Sequence, residues 1–167
     1  TVAVNIGGTV TVVNNTTRAH IDDHVTVNAG DNTSAGASQS VLVAAGNDYL
    51  RWGIAGGVAL AGTAAVVPGA DVVLYNGFTE AWNGNADVSA QGDVSVLARN
   101  TLDVLSIVGA VGASGTFSLA GAASVQMYDL TTRAWIGNSA TASAAAGDHV
   151  VVHAGGTVHV SASDETE

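Results

Sequence analysis

Valine alternates with other residues in short runs along the whole chain. The unit Val-x-Val-x-Ala begins at five positions: Val25, Val41, Val94, Val150 and Val158. A period of two places alternate side chains on one face of a β-strand, and β-branched valine suits that conformation. Gly-Asp and Asn-Gly pairs near the ends of these runs are turn signals. The pattern therefore predicts short strands, each with one face toward a core.

The chain also repeats itself with a spacing of about 53 residues. This shift aligns three pairs of large side chains: Ile54 with Ile107, Tyr75 with Tyr128, and Trp82 with Trp135. An earlier copy matches with a shift of about 62 residues and has His20 at the position of Trp82. The difference falls on the polar segment 30–38, which predicts a loop insertion. The chain thus contains about three cassettes, at residues 1–53, 54–106 and 107–167.

Closely spaced strands with small inward side chains predict an all-β fold, a parallel β-helix (β-solenoid). Hydrophobic residues make up 47% of the chain but aromatic residues only 5%, so Val and Ala must fill a narrow interior. If each cassette makes three rungs, a rung has about 18 residues, and about nine rungs span about 45 Å. A sandwich or barrel is an alternative. Helices in the Gly/Ala-rich segments are another, although their internal glycines and missing caps disfavour them.

Charge and cysteine content exclude several partners. The formal charge is −10, with four Arg and no Lys, which disfavours nucleic acid and anionic membrane surfaces. No cysteine is present, so disulfides and thiolate metal sites are absent. Segments 52–70 and 104–128 are uncharged, and only the second is long enough to cross a bilayer. Gly and Ser dilute that segment and no basic residues flank it, so we expect no membrane span. The chain begins without Met or a signal peptide, and we expect a piece of a longer chain or fibre.

One stretch of the repeat carries a family resemblance. It consists of a Gly/Ala/Ser strand from Gly115, then Val125-Gln126-Met127-Tyr128, then Thr132-Arg133-Ala134-Trp135-Ile136-Gly137, and later Gly147 to Ala154. This order of residues resembles the repeats of very large bacterial surface proteins of the filamentous haemagglutinin and leukotoxin-type filamentous adhesin kind. The resemblance implies export to the bacterial cell surface, a β-solenoid stalk, and adhesion or filament formation.

Repeated aromatic residues are the candidate binding site. If Ala81 and Ala134 point inward, Trp82 and Trp135 point outward at equivalent positions, where they could stack on sugar rings or dock a partner protein. The same interpretation extends to Tyr75, Tyr128 and His20, as an outward Trp/Tyr row. The alternative is that these rings only cover an apolar flank of their own chain.

Catalytic and metal chemistry find little support in the sequence. His149 and His153 lie about 13 Å apart along a strand, too far to share one ion. The glycine series of a calcium β-roll is missing, so we expect no metal site and no cofactor beyond weak Ca²⁺ binding at loop carboxylates. The carboxylates, Asp71 among them, fall singly at predicted turns and no Lys can act as a base, so we expect no enzyme. A polysaccharide-active β-helix enzyme is the least favoured hypothesis.

These observations favour a structural repeat segment of an exported bacterial adhesin or extracellular filament. Its expected partners are neighbouring repeats or copies of itself joined head to tail, because a solenoid without caps has open ends. A glycan- or protein-binding surface module is the alternative function, with glycans or host-surface proteins as partners. We expect an extracellular location.

Overall fold

The computed structural model describes residues 1–29, 33–138, 145 and 147–167, and all of their regular structure is β-strand. The strands are β1 (Val2–Val4), β2 (Gly7–Ile21), β3 (Thr26–Val27), β4 (Val41–Ala61), β5 (Ala64–Asn83), β6 (Asp87–Ala90), β7 (Val94–Ser114), β8 (Phe117–Ile136), β9 (Val151–Ala154) and β10 (Val158–Thr166). The all-β prediction is confirmed. The helical alternative is wrong for the described segments, because the Gly/Ala-rich stretches continue long strands.

The strands form three sheets in which every pairing is parallel. The first long sheet places β5 between β8 on one side and β1 and β2 on the other. The second long sheet has the order β4-β7-β10, and the short sheet has the order β3-β6-β9. The chain therefore passes through the first long, short and second long sheets three times. We call each pass a layer, and residues paired across layers a column.

The expected rung of about 18 residues is wrong. Strand partners such as Asn47 and Asn100 are 53 residues apart, so one cassette makes a single layer. The strands of the second and third passes in the long sheets run for 20 or 21 residues, except β10. Three layers therefore span only about 10 Å between outer strands. Of the glycine turn signals, Gly84, Gly92 and Gly147 do lie between strands, but Gly77 lies inside β5, because a glycine does not end a strand held by neighbours on its edges.

The Val-x-Val-x-Ala units do form strands, and equivalent units pair with each other. Val94 pairs with both Val41 and Val158 in the second long sheet, while Val88 pairs with Val27 and Val152 in the short sheet. Units only a few residues apart in the chain therefore belong to different sheets of one layer, as the spacing predicted.

The insertion in the first cassette is confirmed where it can be described. Sequence separation between paired layers is 62 residues near β2 and 53 residues near β4, so the extra residues lie between β3 and β4. Residues 33–38 contain no strand, and residues 30–32 lie outside the described part of the chain. A second expansion, which the sequence reading missed, follows β8, where the separation rises from 53 to 64 residues.

The main apolar core lies between the short sheet and the adjoining ends of the long sheets, a region we call the proximal half. Two buried clusters form it: Val43, Ala45, Ala81, Val96 and Ala98, and next to them Ala86, Val88, Ala90 and Val94. The rest, the distal half, runs from Arg51 and Asp71 to the turns at residues 62–63 and 115–116. Its interior is thinner, with one buried cluster of Ala59, Ala65 and Val67.

Glycines let the two long sheets approach closely in the distal half. A Cβ atom on Gly7, in the first long sheet, would collide with the backbone oxygen of Gly56, in the second. Only a residue without a side chain fits such an approach. Glycine and alanine at these positions therefore account for the narrow distal interior.

Candidate functional site

Three aromatic rings form one continuous stack on the outside of the first long sheet. His20 pairs with Trp82, and Trp82 pairs with Trp135, in strands β2, β5 and β8. The ring centroids are 4.3 Å apart for His20 and Trp82 and 5.0 Å apart for the two indoles, with interplanar angles of 5° and 1°. Ala81 is fully buried on the opposite face, so the outward direction predicted for both tryptophans is correct.

This stack holds the layers in register and leaves no face of its central ring free for a ligand. Both faces of Trp82 are covered, one by His20 and the other by Trp135. Recognition of a sugar by stacking needs a free ring face, so Trp82 offers only an edge. Each stacked pair contributes about 0.5–1.5 kcal/mol beyond its buried area, and it does so only when the layers align.

The tyrosines do not belong to this outward row, contrary to prediction. Tyr75 is completely buried, and its hydroxyl oxygen accepts a hydrogen bond of 2.7 Å from the Asn47 amide. Its ring also contacts Tyr49, at 4.8 Å between centroids. Tyr128 pairs with Tyr75 and is half-buried, and burial raises the pKa of its hydroxyl. The physical reason is parity: Tyr75 and Trp82 are an odd number of residues apart on one strand, so they face opposite sides.

A buried ion pair joins the two long sheets where the proximal and distal halves meet. Asp71 is completely buried, and Arg51 approaches it with both guanidinium nitrogens, at 3.1 Å and 2.9 Å. Thr9 and Ser106 also donate hydrogen bonds to this carboxylate. Hydrogen bonds from Arg51 first, then Ser106 and Thr9, hold the pKa of Asp71 well below its ordinary value, and Asp71 raises the pKa of Arg51.

This pair corrects the interpretation of Asp71 as a turn residue. Asp71 lies inside strand β5 with the inward parity of Val73 and Tyr75. Its partner comes from β4, on the facing sheet. Alternation around Asp71 could have revealed its inward direction, but no sequence signal identified Arg51 as its neighbour.

Asparagine side chains also form hydrogen bonds between the layers, which we call amide ladders. Inside, Asn47 donates a hydrogen bond of 2.5 Å to Asn100 of the next layer, and it accepts one from Asn15 of the facing sheet. Outside, Asn76 donates to Asn14 at 2.7 Å. A primary amide is both donor and acceptor, so identical amides can bond to each other in successive layers. These ladders fix register as the ring stack does.

Ionised side chains follow a different rule, because their signs alternate along a column. Arg18 and Arg133 flank Glu80, with nitrogen–oxygen distances of 3.3 Å and 3.9 Å. Both guanidinium groups also lie over the Phe78 ring, 5.1 Å and 5.9 Å from its centroid. The fourth arginine of the chain, Arg99, pairs with Glu165 at 3.0 Å. Every arginine of the chain thus contacts a carboxylate.

The distal half carries a large apolar surface on the outer faces of both long sheets, which we call the distal outer surface. On the first long sheet its exposed side chains are Val2, Val4, Ile6, Phe117 and Leu119. On the second they are Trp52, Ile54, Val58, Leu60, Leu105, Ile107 and Val111. The uncharged segment 52–70 and most of the segment 104–128 fold into this half. Among the described residues, no helix has the length and apolar character needed to cross a bilayer.

The histidines near the end of the chain are exposed, as their parity predicted. His149 is 3.1 Å from Asp87, and the Gly147 carbonyl first, then Asp87, raises the pKa of its imidazole. His153 and His159 lie on the exposed sides of β9 and β10. The described residues bring together no three His, Asp or Glu side chains that could hold a metal ion.

Comparison with known proteins finds no relative of this chain. No protein-family model matches the chain, and no curated protein or solved structure does. Its chemistry must therefore be judged from its own columns and surfaces.

Proposed function

We propose that this chain is a β-solenoid segment of an exported bacterial adhesin or extracellular filament, in which it acts as a rigid stalk. The observation that carries this proposal is the in-register stacking of equivalent residues across all three layers. His20, Trp82 and Trp135 form one such column, and Ala19, Ala81 and Ala134 form another. A repeated sequence that stacks equivalent side chains builds a rod by adding layers.

The edges of the stack support the same function. Among the described residues of the first long sheet, β2 and β8 each pair with β5 alone, so each has one edge open to a further strand. An open strand edge presents backbone donors and acceptors that favour pairing. Parallel pairing continues through such edges, and the load along the rod passes through the backbone hydrogen bonds of every layer.

The export and adhesion parts of this proposal come from the resemblance of the Gly115–Ala154 stretch to filamentous adhesin repeats. A chain without cysteine is compatible with an oxidising exterior, because its core needs no thiol chemistry. Antibody labelling of intact source cells tests this part. Label on intact cells supports it, and label only after permeabilisation contradicts it.

Adding a layer tests the solenoid itself. A second copy of residues 54–106, with its carboxylates changed to amides, is inserted directly after residue 106. We expect a folded chain whose denaturant m-value increases, because each added layer buries further surface. The control insertion lacks one residue inside a strand, which turns the following side chains to the wrong face. If both insertions behave alike, the layers are not stacking units and the proposal fails.

A further inference from the structure

Charged residues stack by a stricter rule than neutral ones in this chain. Neutral columns repeat similar side chains, as in Thr17, Thr79 and Thr132. The column of Arg18, Glu80 and Arg133 instead changes sign at each layer. Throughout the registers of the described strands, no carboxylate pairs with a carboxylate and no guanidinium with a guanidinium.

In the registers of the described strands, each carboxylate lies beside a neutral residue or an arginine. Thr101 separates Asp48 from Glu165 in one column, and Asp129 pairs with Asn76 in another. The exception lies just past β10, where Glu167 lies beside Asp103. The backbone of Glu167 bonds to Leu102 and Val104, the two neighbours of Asp103. Like charges on adjacent strands are destabilising, which explains the separation.

An identical copy stacked on the third layer would break the rule twice. Continuing the registers places Arg18 of the next copy beside Arg133, because both pair with Glu80. The same continuation places Asp48 of the next copy beside Glu165, because both pair with Thr101. Neutral columns accept the copy without conflict, for example His20 beside Trp135.

We propose that the open edge of the third layer, formed by β8 and β10, selects its neighbour by charge. Its partner is a layer of the same register that carries a carboxylate in the column of Arg133 and no carboxylate in the column of Glu165. An identical copy of this chain is a poor partner for this edge. The inference rests on the proposed stacking function and names the chemistry of the layer that continues the stack.

A charge-inverted chain supplies the first of these two features, a carboxylate in the column of Arg133. The triple variant Arg18→Glu, Glu80→Arg, Arg133→Glu keeps the alternation within its own column, so its folding should be preserved. In a mixture, the carboxylate introduced at position 18 of the variant meets Arg133 of the native chain. Sedimentation velocity at low salt should then show association of the mixture at about tenfold lower concentration than for either chain alone. At high salt the advantage should disappear, since exposed charges are screened.

Disulfide trapping reports the register of this association. Thr16 and Thr131 occupy one outer column, and the chain contains no cysteine of its own. A native chain with Thr131→Cys and an inverted chain with Thr16→Cys should cross-link, because neighbouring strands bring the Cα atoms into disulfide range. The matched control places the second cysteine at Val12, four residues before Thr16 on the same outer face of β2, and should not cross-link.

The outcomes separate the two proposals. Cross-linking and association that are equally strong with two native chains would overturn charge selection and leave stacking intact. Association in neither mixture nor native chain, even at high salt where charge no longer matters, would overturn stacking and with it the proposed function. A circular dichroism spectrum of the inverted chain verifies that it retains its β-structure.

Discussion

The proximal and distal halves share the same strands and the same layers, yet they place their apolar side chains on opposite sides. In the proximal half Val43, Val94 and Val96 are buried, and the outer face carries the Arg18–Glu80–Arg133 column. In the distal half the interior is mostly Ala and Gly, while large residues such as Ile54 and Leu60 are exposed. Backbone pairing between layers therefore does not depend on which face is apolar.

This difference separates two sources of stability. Side-chain burial stabilises the proximal half, because its valines leave water on folding. In the distal half, backbone hydrogen bonds and contacts along each column must contribute a larger share. The Arg51–Asp71 pair lies at the boundary and joins the facing sheets.

Breaking the boundary pair should have the largest effect. Asp71→Ala leaves Arg51 as a charge without its carboxylate, and we expect a loss of about 3–5 kcal/mol in the free energy of unfolding. Urea titration measures it. Asp48→Ala, on an exposed outer position of β4, is the control and should change stability by less than about 0.5 kcal/mol. Restoration of most of the stability by Arg51→Met in the Asp71→Ala background would identify the unpaired charge as the cause.

Acid should act through the same carboxylate. The pKa of Asp71 is lowered in the folded chain, so the protein binds fewer protons there than the unfolded chain. Its stabilising contribution is fully present above the unfolded pKa of about 3.9 and is lost as pH falls through the lower, folded value. Asp71→Asn should therefore differ from the native chain most at neutral pH and least in strong acid. A difference that stays constant across that range would contradict this role.

Removing buried methyl groups should distinguish the two halves directly. Val96→Ala creates a cavity in the proximal core, where Val96 is completely buried, and should cost about 2 kcal/mol. Val58→Ala makes the same chemical change on the distal outer surface, where the side chain is 61% exposed, and should cost less than about 0.5 kcal/mol. Equal losses in thermal unfolding would show that the outer apolar residues are buried in solution.

A charge on the outer surface should have the smallest effect on stability and a visible effect on dye binding. Ile54→Lys interrupts the distal outer surface, while Leu42→Lys introduces the same charge at the proximal end of the same strand. Large exposed apolar patches bind the dye ANS, so its fluorescence should fall more for Ile54→Lys than for Leu42→Lys. Indistinguishable fluorescence would mean that the distal outer surface is not a distinct apolar patch.

Prediction from sequence succeeded where a single strand or a single repeat carries the information. The period-two valines identified strands, and the spacing of about 53 residues identified the unit. The outward direction of Trp82 and Trp135 followed from parity against Ala81. The same rule applied to Tyr75 would have placed it inside, so that error was one of reasoning and not of missing information.

The length of a layer and the pairing of Asp71 with Arg51 could not be predicted in the same way. A repeat of fixed length is compatible with one long turn of the chain or several short ones, since both place equivalent residues in register. Which applies depends on whether glycines end strands or lie within them, and that is decided by the neighbouring strands. Contacts between facing sheets likewise join residues with no common periodicity.

The sequence by itself determined the β-structure, the register between layers and the alternation of faces. The strand period can be recognised within a short segment, and the repeat spacing can be recognised by comparing the sequence with itself. Tertiary structure alone decided that each cassette makes one layer, that the long sheets face each other through glycines, and that an ion pair lies between them. These features arise from side chains meeting across the interior, where the separation along the chain carries no signal of proximity in space.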